Sequence, residues 1–296
     1  MSADARTPAP AAAAVESAAG PLTRFLAELG ALALLGLGAT RAIVRTRRPA
    51  PRLVPAVARV LDDLLSRGLP LVVLIGASLG AFLTMQAYFS ATFREAAGAV
   101  VGVGLLRNLA PLVSGFVLAG MLAGRIVPEL RRGPRLGLDA DPRAVPDRDV
   151  TQGRRPDDRV EPEPARIAAV RILAAALAGP ILAAWLAAAG LAMGMLVALS
   201  KLAVSPGLFA NKLLAIVEAR DVAGLLIKAA LFGAAGALFA LREGLREGAS
   251  REPAAVSRDA WRAVLLATLA VMLINNAWFS LNYLAGSPYG PTLAVR

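Results

Sequence analysis

The chain has 296 residues, 57% of them hydrophobic, and contains neither cysteine nor histidine. So apolar a composition excludes an ordinary soluble globule, and the missing thiols and imidazoles exclude disulfides, cysteine nucleophiles, imidazole bases and imidazole metal ligands. The formal net charge is +11, but the arginines gather between apolar runs, where membrane topology accounts for them better than nucleic-acid binding does.

Residues 1–20 are rich in alanine and proline with almost no large apolar side chains, and are expected to form a disordered tail. The apolar run 22–44 is long enough to cross a bilayer, yet Arg24 and Glu28 near its start favour a helix lying along the interface. Pro49-Ala50-Pro51 breaks that helix. Residues 53–67 then read as an amphipathic helix, with Arg59, Asp62, Asp63 and Arg67 on its polar positions.

Gly68-Leu69-Pro70 opens the first span, 69–91, which is uncharged and carries Gly76 and Gly80 four residues apart, a spacing that lets another helix approach closely. Tyr88 near its end is either an interfacial aromatic or a pocket residue. The second span, 96–127, contains Arg107 and Asn108 with Pro111 just beyond, which predicts a kinked helix whose polar side faces protein or water. An arginine at that depth needs a countercharge, and Asn108 cannot supply one.

Between 128 and 164 charged residues, proline and glycine dominate and no apolar periodicity survives, so a solvated, disordered loop is expected, with Arg131 among its charges. The third span, 167–199, contains Gly179-Pro180, a kink signal. Ser205-Pro206-Gly207 is turn chemistry and precedes a short amphipathic piece, 208–217. The fourth span, 222–240, carries Lys228. Burying an ammonium among lipid tails is costly unless it faces protein, an acid or a water-filled cavity, which makes Lys228 a functional-site candidate. Alternatively it snorkels outward past Asp221, about two turns away. The fifth span, 261–284, carries Asn275 and Asn276 near its middle and Trp278 further on.

Lysine and arginine fix an orientation. Residues 1–70 hold nine, 128–171 hold ten and 241–262 hold five, against Arg94, Lys201, Lys212, Arg220 and Arg296 on the other side. That puts the N-terminus and both basic loops in the cytoplasm and the C-terminus outside.

Three stretches, LLRNLAPLVSGFVLAG (105–120), MGMLVALSKLAVSPGLF (193–209) and DVAGLLIKAALFG (221–233), resemble the MlaE/YrbE-type permeases. These are the membrane subunits of ABC transporters that move lipids with MCE-domain proteins. The likeness covers 53–130 and 165–285, and the order and spacing of the spans agree with it. It implies an all-α integral membrane protein of the MlaE-like permease fold, with an N-terminal interfacial helix and five transmembrane helices. The chain then divides into a tail (1–20), interfacial helices with the first two spans (21–127), a charged loop (128–165) and the last three spans (166–296), with 53–127 and 166–296 forming one permease domain.

The resemblance further implies a homodimer or heterodimer in the cytoplasmic (inner) membrane, with a lipid cavity between protomers, a partner ABC ATPase that binds the ATP, and an MCE-domain partner. This chain would hold no cofactor and perform no covalent chemistry, and it contains no phosphate-binding G-x-x-x-x-G-K-[ST] loop. Family pocket positions fall on Tyr88, Arg107, Asn108, Lys228 and Asn276. The two cations would hold a phospholipid headgroup, or else pair with helix ends and backbone carbonyls.

Departures from the family are marked. Its usual Arg-Glu pair stands here as Arg107-Asn108, and its usual acid in the last span as Asn276, so a cavity with unpaired positive charge and a preference for anionic ligands is expected. The acidic, apolar coupling helix that docks in the ATPase is replaced by the proline-broken loop. The family's Ala-Gly-Arg and Ala-Glu signatures before it are read at Ala119-Gly120-Met121 and Pro128-Glu129. The competing reading is a degenerate, non-transporting membrane scaffold or the inactive half of a heterodimer.

Overall fold

Each of the five long apolar runs forms one helix or two joined end to end, and the chain folds by laying these against one another. The structure is a computed structural model that describes residues 53–90, 96–131, 164–246 and 250–284, with a few helical residues between Gly30 and Arg41. The expected tail (1–20), most of the expected interfacial helix (22–44), the loop after residue 131 and the C-terminal residues 285–296 lie outside the described residues. The helices in chain order are α1 (Leu53–Phe89), α2 (Ala97–Val103), a π-helical turn (Gly104–Leu109), α3 (Ala110–Arg131), α4 (Pro164–Val197), a second π-helical turn (Ala198–Leu202), α5 (Pro206–Leu214), α6 (Ala219–Gly244) and α7 (Pro253–Leu284). Five helical stretches are long and apolar enough to cross a membrane: Leu53–Phe89, Ala97–Arg131, Ile167–Leu202, Ala219–Gly244 and Pro253–Leu281. Among the described residues there is no strand.

Helix α4 packs between α1 and α6, while α3, α6 and α7 pack on one another. Lipid tails are as apolar as leucine, so association in a bilayer depends on close packing and interhelical hydrogen bonds. The sequence supplies the close packing with small residues: Ala174, Ala175, Ala178, Ala183 and Ala187 of α4 are buried. Gly76 and Gly80 of α1 lie directly against the backbone carbonyls of Leu186 and Gly190, where a side-chain methyl would overlap. One turn further, the buried Thr84 hydroxyl lies 2.9 Å from the Gly80 carbonyl and 3.2 Å from that of Gly194, a bond across the same contact. By contrast Leu265, Leu269 and Leu273 form an exposed apolar stripe along α7, suited to lipid.

Two prolines expected to bound elements lie inside helices instead. Helix α1 runs unbroken through Pro70, joining the amphipathic segment to the span. Pro70 deprives Ser66 of its amide partner, but both are exposed, so the freed carbonyl is open to other donors, while Gly68 stays packed on Leu182. Helix α3 continues through Pro128 to Arg131, and α7 begins at Pro253, where a first-turn proline loses no helical bond.

Arg131 therefore belongs to the fold and not to a solvated loop. It is 6% exposed, and its guanidinium donates to the carbonyls of Glu243 (2.6 Å) and Arg246 (2.8 Å) and to Asp259 (2.9 Å), fastening α3 to the end of α6 and to α7. Nearby, Arg125 pairs with Asp63 of α1 and with Glu129 (2.8 Å), which also receives Arg171 of α4 at 2.7 Å. An Ala-Gly-Arg triplet thus stands at Ala123-Gly124-Arg125, one turn beyond the place read for it in the sequence. Its arginine ties α3 to α1, and Glu129 extends the network to Arg171 of α4 at the basic end of the bundle.

Candidate functional site

At the other end of the bundle a second set of buried polar side chains, Asp221, Lys228 and Asn275, comes together. The first contribution is the π-helical turn Gly104–Leu109, which carries Arg107 and runs into α3 just before Pro111. Such turns insert a residue into the helical register and re-aim the side chains around it. In a regular helix the Arg107 carbonyl would accept from the amide four residues on. That residue is Pro111, which has no N–H. Lys228 Nζ donates to this carbonyl instead, at 2.5 Å.

The second contribution is the start of α6. Glu218 is its N-cap and Asp221 its third residue, and the two form a capping box in which Glu218 N–H donates to Asp221 Oδ2 at 3.0 Å. The same carboxylate, with its side chain only 1% exposed, accepts Arg107 Nε at 2.9 Å and Arg107 Nη2 at 3.0 Å, a two-pronged ion pair. Arg107 Nη2 also lies 3.4 Å from the Ile216 carbonyl. Lys228 stands two turns along α6 on the same face as Asp221, about 10 Å further into the bundle.

Helix α7 completes the cluster. Asn275, 8% exposed, accepts from Lys228 Nζ through Oδ1 at 3.3 Å, and the ammonium lies 5.0 Å from the centre of the Phe279 ring. Around these groups is a small open recess lined by Arg107, Asp221, Gly224, Leu225, Lys228, Trp278 and Phe279. Among the described residues no group of three or more acids is placed to hold a metal ion.

The structure brings Arg107 and Lys228 together and leaves the other expected pocket residues out. Asn108 follows Arg107 but is exposed. Tyr88, half-buried, packs edge-on against Phe89 with ring centres 5.4 Å apart and does not line the recess. Asn276 is exposed, and its neighbour Asn275 is the residue turned toward α6. Two expectations are corrected. Arg107 is not unpaired, because Asp221, distant in sequence, supplies the countercharge. Lys228 is 2% exposed and does not snorkel.

Sequence reasoning missed Asp221, Asn275, Trp278 and Phe279 as site residues. For Asp221 a signal existed, since an acid seven residues before a buried lysine shares its helical face. For Asn275 none did: adjacent residues differ by about 100° around a helix, and only packing decides which one faces inward.

In comparisons with known proteins, residues 57–130 and 162–281 match the family model described as Permease MlaE. No curated protein matches the chain.

Proposed function

The chain belongs to the MlaE permease family and is therefore a multi-pass permease of an ABC transporter for lipids; on that premise we propose that it moves phospholipid across the cytoplasmic (inner) membrane, with the recess at Lys228 as part of the lipid path. The observation that carries the reading is the ammonium of Lys228, buried in the membrane-spanning bundle yet lining an open recess beside Trp278 and Phe279. A buried cation with aromatic neighbours suits a ligand with a charged head and an apolar body.

In this reading the chain is a transport subunit and ATP is hydrolysed on a partner ATPase. The permease alternates between states whose cavities bind the lipid with different affinity. Two permease chains, identical or related, enclose the path, and an MCE-domain protein receives or delivers the lipid. The basic end carrying Arg125, Arg131 and Arg171 faces the cytoplasm, because positively charged segments are retained there. The recess then opens toward the outer half of the membrane.

Mass spectrometry of the complex, gently solubilised from its native membrane, tests this. An ABC ATPase, an MCE-domain protein and bound phospholipid are expected together. Recovery of the permease without any ATPase would overturn the transport reading in favour of a membrane scaffold or an inactive subunit, a reading favoured by the absence of an amphipathic coupling segment between 128 and 164.

A further inference from the structure

Resting on the lipid-transport reading, we infer that the recess selects headgroups with a net negative charge, and that Asn275 sets this selectivity by leaving the Lys228 ammonium without a carboxylate partner. Among the titratable residues that line the recess, two are cationic and one is anionic, so its walls carry a single positive charge. That charge belongs to Lys228. Both oxygens of Asp221 are engaged by Arg107, and one of them also by the amide of Glu218. Lys228 is held by a backbone carbonyl and the amide oxygen of Asn275, both neutral.

An ammonium has three N–H donors, and two are committed to these acceptors. The third is free for an oxygen of a phosphodiester, in a setting where a charge-assisted bond gains from the low polarity around it. A headgroup that carries its own ammonium gains far less. Its phosphate can take the same donor, but the lining offers its cation no uncommitted carboxylate, and Lys228 and Arg107 repel it. Trp278 and Phe279 give the glycerol and upper acyl chain an apolar wall.

An aspartate at position 275 would sit where Oδ1 already lies 3.3 Å from Nζ and would neutralise the lysine in place. A serine there would remove the amide oxygen without adding charge. The two substitutions therefore separate charge from hydrogen bonding.

The experiment places the purified permease complex in nanodiscs of equal parts phosphatidylglycerol and phosphatidylethanolamine and counts the lipids retained after delipidating washes by native mass spectrometry. Wild type is expected to retain phosphatidylglycerol in about tenfold excess, the size of one modest ionic interaction. Asn275→Asp is expected to return the ratio to that of the disc with total retained lipid unchanged, and Asn275→Ser to keep the excess. A wild-type ratio equal to that of the disc, or an excess that survives Asn275→Asp, would overturn the inference. Lys228→Ala tests the underlying reading separately: if it leaves the total of retained lipid unaltered, the recess is not a lipid site at all. Glycerol 3-phosphate in solution is expected to leave the retained phosphatidylglycerol in place; its displacement by that headgroup alone would assign the site to a soluble phosphate ester and overturn the lipid selectivity.

Discussion

Lys228 donates to a carbonyl that a regular helix would have kept for itself, and this explains how a buried ammonium is tolerated. Pro111 creates the acceptor, the π-helical turn presents it, and α6 carries the donor. The ion pair beside it works by the opposite principle: Arg107 and Asp221 satisfy each other, and the loss of one leaves the other stranded. Asp221→Asn is expected to destabilise the protein by about 3 kcal/mol, since it takes the countercharge from Arg107, a guanidinium only a quarter exposed. The readout is the thermal unfolding midpoint in detergent. The double replacement Arg107→Met with Asp221→Leu should recover most of that loss; if the single and double variants unfold alike, the pair is not what holds the turn to α6. At this scale the sequence was half legible. The expense of Arg107 and Lys228 could be read from the apolar runs around them, but their partners come from distant segments, and no local pattern announces a contact across 114 residues.

At the scale of elements, the spans were legible and their ends were not. Apolar length, with 22–44 set aside for the charges near its start, locates five crossings, because a single apolar segment satisfies its own backbone in lipid only as a helix. The glycine pair on α1 was legible for the same kind of reason, and Gly80→Ala tests it. The added methyl would overlap the Gly190 carbonyl, and backbone cannot swing aside as a side chain can. The helices must separate, so a loss of about 1–3 kcal/mol is expected, seen as reduced yield of monodisperse protein and a lower unfolding midpoint. Equal stability of Gly80→Ala and wild type would mean that α1 and α4 sit further apart. Gly207→Ala, on the exposed first turn of α5 with open space around it, serves as the control. The misplaced boundaries at Pro70 and Pro128 share one cause. A proline removes a known hydrogen bond, but whether the helix stops depends on whether the freed carbonyl finds another partner, and that is settled by surroundings the sequence does not display.

For the whole molecule the question is which way up the bundle lies. The ion-pair network of Arg125, Arg131 and Arg171 and the recess at Lys228 occupy opposite ends, so orientation decides from which side the recess is reached. In the proposed orientation the basic end faces the cytoplasm, and the lack of any cysteine makes that proposal directly testable. Ser250, between α6 and α7, is exposed at the basic end, and Asn211 of α5 is exposed at the other. In cells with a permeabilised outer envelope but an intact cytoplasmic membrane, a membrane-impermeant maleimide should label Asn211→Cys and spare Ser250→Cys. Disrupting the membrane should then expose Ser250→Cys. The reverse pattern would put the recess on the cytoplasmic side, and lipid would then enter it from the leaflet facing the ATPase. Because selection by Lys228 acts wherever the lipid first meets the recess, the labelling result also decides whether the charge preference acts on the lipid before or after it has crossed.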